Sequence, residues 1–90
     1  MTNTNIRLYN DTLRALKSLE SGMIIFNNRF TEFNKKELED YLKRLDDASF
    51  EFRLNYRGPE IYRLELLERV AEARDEAFLA IHEFNELSSI

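Results

Sequence analysis

Arginine and tyrosine crowd one stretch of this 90-residue chain. In EFRLNYRGPEIYRLE, residues 51–65, the side chains of Arg53, Tyr56, Arg57 and Arg63 surround Gly58 and the sole proline, Pro59. A guanidinium presents a planar fork of N–H donors that matches phosphate or carboxylate oxygens, and a phenol ring offers a face for stacking. If Arg7 and Tyr9, near the N-terminus, come to the same place, these side chains form a pocket for an anionic small molecule such as a nucleotide. The same residues also have a purely structural reading. Glycine ends a helix in a left-handed conformation, proline starts the next one, and the arginines pair with neighbouring acids.

Arg74 is a second candidate. It falls between Val70 and Ala77, where helical spacing calls for an apolar residue, and a buried unpaired guanidinium is very costly. Pairing with Glu20 or Asp11 is the plain expectation. Fixing a subunit register or gripping an anion is the sharper one.

Catalytic groupings are scarce. His82 is the single histidine and the chain has no cysteine, so thiolate chemistry is excluded and a zinc site would lack its usual sulfur ligands. No carboxylate stands three or four residues before His82, and Glu86, one turn later, is its natural partner. Asp46 and Asp47 are adjacent, which on a helix points them about 100° apart and argues against shared acid–base work. The serines carry no nucleophile-elbow motif, and two glycines make no phosphate-binding loop. No catalytic residue, metal site or cofactor is expected.

The elements that must position these residues read as helices. Tyr9, Thr12, Leu16, Leu19, Met23, Phe26 and Phe30 step by alternating threes and fours, a heptad seam. Asn3 or Asn5 is the expected cap, and Gly22 within the seam costs about 1 kcal/mol relative to alanine. Asn34 with Glu37 resembles a capping box, with Phe33 folding over Leu38 as a hydrophobic staple. Leu38, Tyr41, Leu42, Leu45, Ala48 and Phe52 continue a second helix, although Phe50, Phe52, Leu54 and Tyr56 also alternate as a strand would. The spacing therefore predicts helices over about 5–28, 35–56 and 59–87 in one domain, 1–90. The fold class is all-α, a three-helix up-down-up bundle with long first and third helices.

The third helix is apolar over about half its circumference. Its expected seam is Leu67, Val70, Arg74, Ala77, Ile81 and Phe84, flanked by Leu64, Ala71 and Phe78 on one side and by Leu66, Ala73, Ala80 and Leu87 on the other. One core needs a stripe of only about 100°. The surplus predicts a homo-oligomer or a protein partner, with Leu66, Ala73, Ala80 and Leu87 as interface residues and Phe50 and Leu54 of the second helix added to them.

Charge narrows the partners. Residues 58–90 hold eight acids against three arginines, which outweighs the near balance elsewhere and leaves the chain at −4. That is no footprint for duplex nucleic acid. A solvated face is the ordinary explanation of the acidic third, and a basic partner the alternative. No apolar run nears the roughly 18 residues that span a bilayer, and the polar N-terminus lacks a signal-peptide core, so no membrane partner and a cytoplasmic location are expected. Function then reads as a non-catalytic interaction module, such as an adaptor, inhibitor or accessory protein, with an anion-binding oligomer as the alternative.

Overall fold

A computed structural model describes residues 2–89. Three helices and, among the described residues, no strand make up the chain: α1 (Asn3–Asn28), α2 (Glu32–Asn55) and α3 (Glu60–Ser88). The alternating stretch at 50–56 is helical to Asn55. Phe52 is fully buried while Phe50 and Leu54 are exposed, so helical rather than strand periodicity sorts these residues.

The caps lie elsewhere than the spacing predicts. Thr2, not Asn3 or Asn5, starts α1 by accepting the Asn5 N–H at 3.2 Å. Thr31 starts α2 in the same way, accepting from Asn34 at 3.1 Å, so this helix begins at Glu32 instead of 35. Asn34 turns its side-chain amide back to the Arg29 carbonyl, and Phe33 is exposed instead of forming a staple. In both caps the threonine hydroxyl accepts the free N–H three residues on.

One core gathers residues from all three helices. Leu8, Leu16, Leu19 and Phe26 meet Leu38, Leu45 and Phe52, and α3 closes over them with Leu66, Val70, Ala73, Ala77, Ala80 and Phe84. Leu66, Ala73 and Ala80, expected at an interface, are therefore buried in the core of the single chain. The core stripe of α3 is rotated toward them, which turns Leu67, Arg74 and Ile81 to the half-buried edge. Aromatic groups plug both ends. Phe26, Phe30 and Phe84 form one triangle, with Phe26 and Phe84 centroids 5.6 Å apart. Tyr9, Phe52, Tyr56 and Tyr62 form the other cluster, with Phe52 and Tyr56 stacked at 4.5 Å.

Helix α1 packs mostly against α2, and small residues set that closeness. The Thr12 hydroxyl is shared between the Leu8 carbonyl of its own helix and the Ala48 carbonyl of α2, at 3.0 and 3.2 Å. A Cβ on Gly22 would stand 2.7 Å from Cδ2 of Tyr41, so the ring of α2 lies directly on the glycine. The helix-propensity cost of Gly22 thus has a packing cause. Overpacking costs about 1–3 kcal/mol and exceeds the roughly 1 kcal/mol that alanine gains in a helix. Gly22→Ala is expected to destabilise the protein by up to about 2 kcal/mol in urea titrations. In a Tyr41→Ala background the sign should reverse, and a penalty that persists there would show that Tyr41 is not its source.

The molecule is slender, 51 × 19 × 18 Å, with a radius of gyration of 14.5 Å. A compact chain of this length has roughly 12 Å. Its accessible surface, 6072 Å², exceeds the roughly 5,500 Å² usual for this mass. Elongation leaves apolar side chains uncovered.

Candidate functional site

The Arg/Tyr residues gather near the α2–α3 joint, but the joint consumes most of them. Tyr56 is buried, and its hydroxyl donates to the Pro59 carbonyl at 3.1 Å. The Arg57 backbone N–H donates to the side-chain Oδ1 of buried Asn5 at 2.9 Å, fastening the start of α1 to the joint. The Arg57 guanidinium folds onto the Tyr56 carbonyl. Arg63 lies 3.7 Å from Glu60 and donates to the Arg53 carbonyl, and Arg7 pairs with Asp11 at 3.2 Å. Tyr9 is half-buried, edge-on to Phe52 and Tyr62. Of the arginines in this group, Arg53 alone has a guanidinium that enters no ion pair or hydrogen bond with the described residues.

Gly58 contradicts the left-handed expectation, since no glycine of the described chain has a positive φ. Its reason is steric. A Cβ there would press into the Tyr56 ring, 2.8 Å from Cε1 and closer still to the hydroxyl. The tyrosine needs that space because its hydroxyl crosses the loop to Pro59.

Burial holds the Tyr56 phenol above its ordinary pKa near 10, with smaller contributions from the charges of Tyr62, Tyr9 and Glu60. The direction fixes a pH dependence. Below about 10 both folded and unfolded chains keep the proton, and the contribution of Tyr56 is complete. Above that value the unfolded chain ionises first, so stability falls as pH rises toward the folded pKa. Urea midpoints are expected to drop above pH ~10 and to drop less steeply in Tyr56→Phe. Equal slopes would remove Tyr56 as the cause.

Arg74 stands apart from the joint. It reaches α2, not α1: Nε lies 2.6 Å from Oδ1 of Asp46 and Nη2 lies 3.5 Å from Oδ2. The buried Nε–H is not aimed along that line, so the contact is ionic more than a well-directed hydrogen bond. The expected partners are otherwise engaged, Glu20 with Arg69 at 3.6 Å and Asp11 with Arg7 and Arg14. The Arg74 guanidinium also covers the Phe78 ring, 5.4 Å from its centroid. Both partners are partly exposed, so the pair contributes about 1 kcal/mol or less. Arg74→Leu is expected to leave thermal stability within that margin. A loss well beyond it would give the pair a structural role that its exposure does not support.

His82 meets Glu86 at 3.1 Å on the exposed side of α3. Among the described residues no group of three acids or histidines is arranged to hold a metal. Ser49 is buried and donates to the backbone carbonyl of Asp46, whose carboxylate is held by Arg74.

What the surface offers instead is apolar. Thirteen large hydrophobic residues are substantially exposed among the described residues. Phe50 and Leu54 are 62% and 54% exposed on α2, and Leu64 and Phe78 are 60% and 49% exposed on α3. The ion pair of Asp46 with Arg74 and the hydrogen bond of Arg63 to Arg53 show that this flank of α2 faces α3. Phe50 sits between Asp46 and Arg53 along α2. Leu64, Ala71 and Phe78 are seven apart, so they share one flank of α3, and Arg74 places that flank toward α2. Leu87, 59% exposed, lies away from it near the end of α3.

A cavity of about 420 Å³ bounded by Lys43, Asp47, Phe78 and Ile81 opens beside the same flank. Others open elsewhere, of about 480 and 260 Å³ between α1 and α2 on either side of Tyr41 and of about 310 Å³ between α1 and α3. Arg53, Arg57 and Arg63 line none of these cavities. No helix is long and apolar enough to cross a membrane. No family model, no curated protein and no solved structure matches this chain.

Proposed function

We propose that this protein is a non-catalytic helical interaction module, an up-down-up bundle that self-associates through the flanks of α2 and α3 bearing Phe50, Leu54, Leu64 and Phe78. One observation carries the reading: large apolar side chains at helical spacing stand in water along two neighbouring helices. Monomeric proteins rarely leave such a patch wet. The up-down-up course draws support from contacts of Asn5 with Arg57, Phe26 with Phe84 and Lys35 with Asn85.

A symmetric dimer presents the same flank from both copies, so each aromatic residue counts twice. Leu66, Ala73 and Ala80 take no part, because they serve the core. The alternative, an anionic small molecule held by arginine and tyrosine, is less well supported. Its tyrosines are packed, and most of its guanidiniums already have acceptors.

Dilution tests the proposal. In ¹H–¹⁵N spectra recorded over a concentration series, the amide signals of residues 50–54 and 64–78 are expected to move together. Spectra that do not change with concentration would refute self-association through this face.

A further inference from the structure

We propose that the groove between α1 and α3 is a docking site for a cationic amphipathic segment of a partner protein. The groove holds about 310 Å³. Its floor is apolar: Met23 is half-buried, Ala73 is buried, and Ile24, 65% exposed, stands at its edge. Its rim is acidic, with Glu20, Glu72 and Glu76. The only cation there, Arg69, is already occupied by Glu20 at 3.6 Å. Glu72 and Glu76 enter no ion pair among the described residues, and they lie one turn apart beside Ala73.

The occupant follows from this arrangement. An apolar floor of this size takes aliphatic side chains, and two uncompensated carboxylates on the rim take lysine or arginine from the same segment. A second copy of the chain fits poorly, because α3 would bring its own surplus of acids to the groove. The excess is general: the three arginines of α3 are all engaged, by Glu60, Glu20 and Asp46. Glu65, Glu68, Glu72, Asp75, Glu76 and Glu83 are left without an ion-pair partner among the described residues. The groove lies on the opposite flank of α3 from Leu64, Ala71 and Phe78, so this proposal stands or falls separately from self-association.

The test uses the full chain and a synthetic amphipathic peptide of leucine and lysine at helical spacing, followed by ¹H–¹⁵N spectra and calorimetry. Saturable binding is expected, with amide shifts centred on Met23, Ile24 and Ala73. Glu72→Gln/Glu76→Gln should raise Kd about tenfold, as loss of two surface ion pairs implies. Glu37→Gln/Glu51→Gln, the same charge change on α2, should leave Kd unchanged. Raising salt from about 0.01 to 0.1 M should weaken binding as the screening length shortens. Both double variants change exposed side chains, and circular dichroism confirms that they fold. Equal weakening by the two double variants would overturn the proposal, as would shifts centred on Phe50 and Leu64 or absence of saturable binding. Spermidine is the control for a free cation. If it shifts the same amides as strongly as the peptide, the apolar floor contributes nothing and the docking site is refuted.

Discussion

Replacing Gly58 with alanine is expected to lower stability by about 2–3 kcal/mol, a large loss for one methyl group on a surface loop. The reason lies in Tyr56. The ring is buried, stacked on Phe52, and bonded through its hydroxyl to the Pro59 carbonyl. A methyl group on residue 58 would enter that ring, and moving the ring aside would break its stacking on Phe52. Either the hydrogen bond stretches or the aromatic end plug opens. For a chain of this size the loss corresponds to a fall in Tm of roughly 10–20 °C.

A different cause would leave a different signature. Were Gly58 needed for a left-handed backbone, asparagine would substitute at little cost, since it tolerates that conformation. Here asparagine should be at least as harmful as alanine, because its Cβ meets the same ring. Tyr56→Phe should cost about 1 kcal/mol by itself and less than that in the Gly58→Ala background, where the missing hydroxyl removes the worst contact. Strict additivity of the two substitutions would separate Gly58 from Tyr56 and contradict this account.

The second large effect concerns assembly. Phe50→Glu/Leu64→Glu is expected to raise the dissociation constant of the self-associated form at least about 100-fold. Each copy of a symmetric dimer would lose an aromatic and an aliphatic anchor and would gain two charges facing like charges. Folding should hardly notice. Both residues are more than half exposed, glutamate is a good helix former, and changes at such positions usually stay within about 0.5 kcal/mol. Phe33→Glu, at the exposed start of α2, is the matched control and should leave association unchanged. A similar loss in Phe33→Glu would point to general stickiness in place of a defined face.

How much of this was legible beforehand depends on the residue. Spacing alone yields three helices and their approximate ends, because threes and fours recur along each segment. It does not fix their rotation. In α3, Leu66, Val70, Ala73, Ala77, Ala80 and Phe84 form as regular a seam as Leu67, Val70, Arg74, Ala77, Ile81 and Phe84, and only the former is the core. Arg74 was the available signal, since a guanidinium belongs at the edge of a stripe more readily than at its centre. The same ambiguity in α1 hides Gly22 behind Met23. Gly22 makes room for Tyr41 across the helix pair, a partner that no local pattern names.

The candidate site was less legible than the fold. Arginines and tyrosines near the joint advertise anion binding by type, yet their acceptors are backbone carbonyls and neighbouring acids that only the folded chain supplies. Asn5 illustrates the difficulty. It reads as a helix cap, but it is buried and accepts the Arg57 N–H from 52 residues away. Conversely, Phe50 and Leu54 were expected at an interface, and both are exposed while Phe52 and Tyr56 take the inward positions.

Sedimentation equilibrium of the unmodified protein measures the central claim most directly, because mass does not depend on which residues are labelled or replaced. Self-association is expected to give a concentration-dependent rise from the 10.8 kDa of a single chain toward twice that value. A single species at 10.8 kDa, unchanged up to the highest soluble concentration, would contradict it.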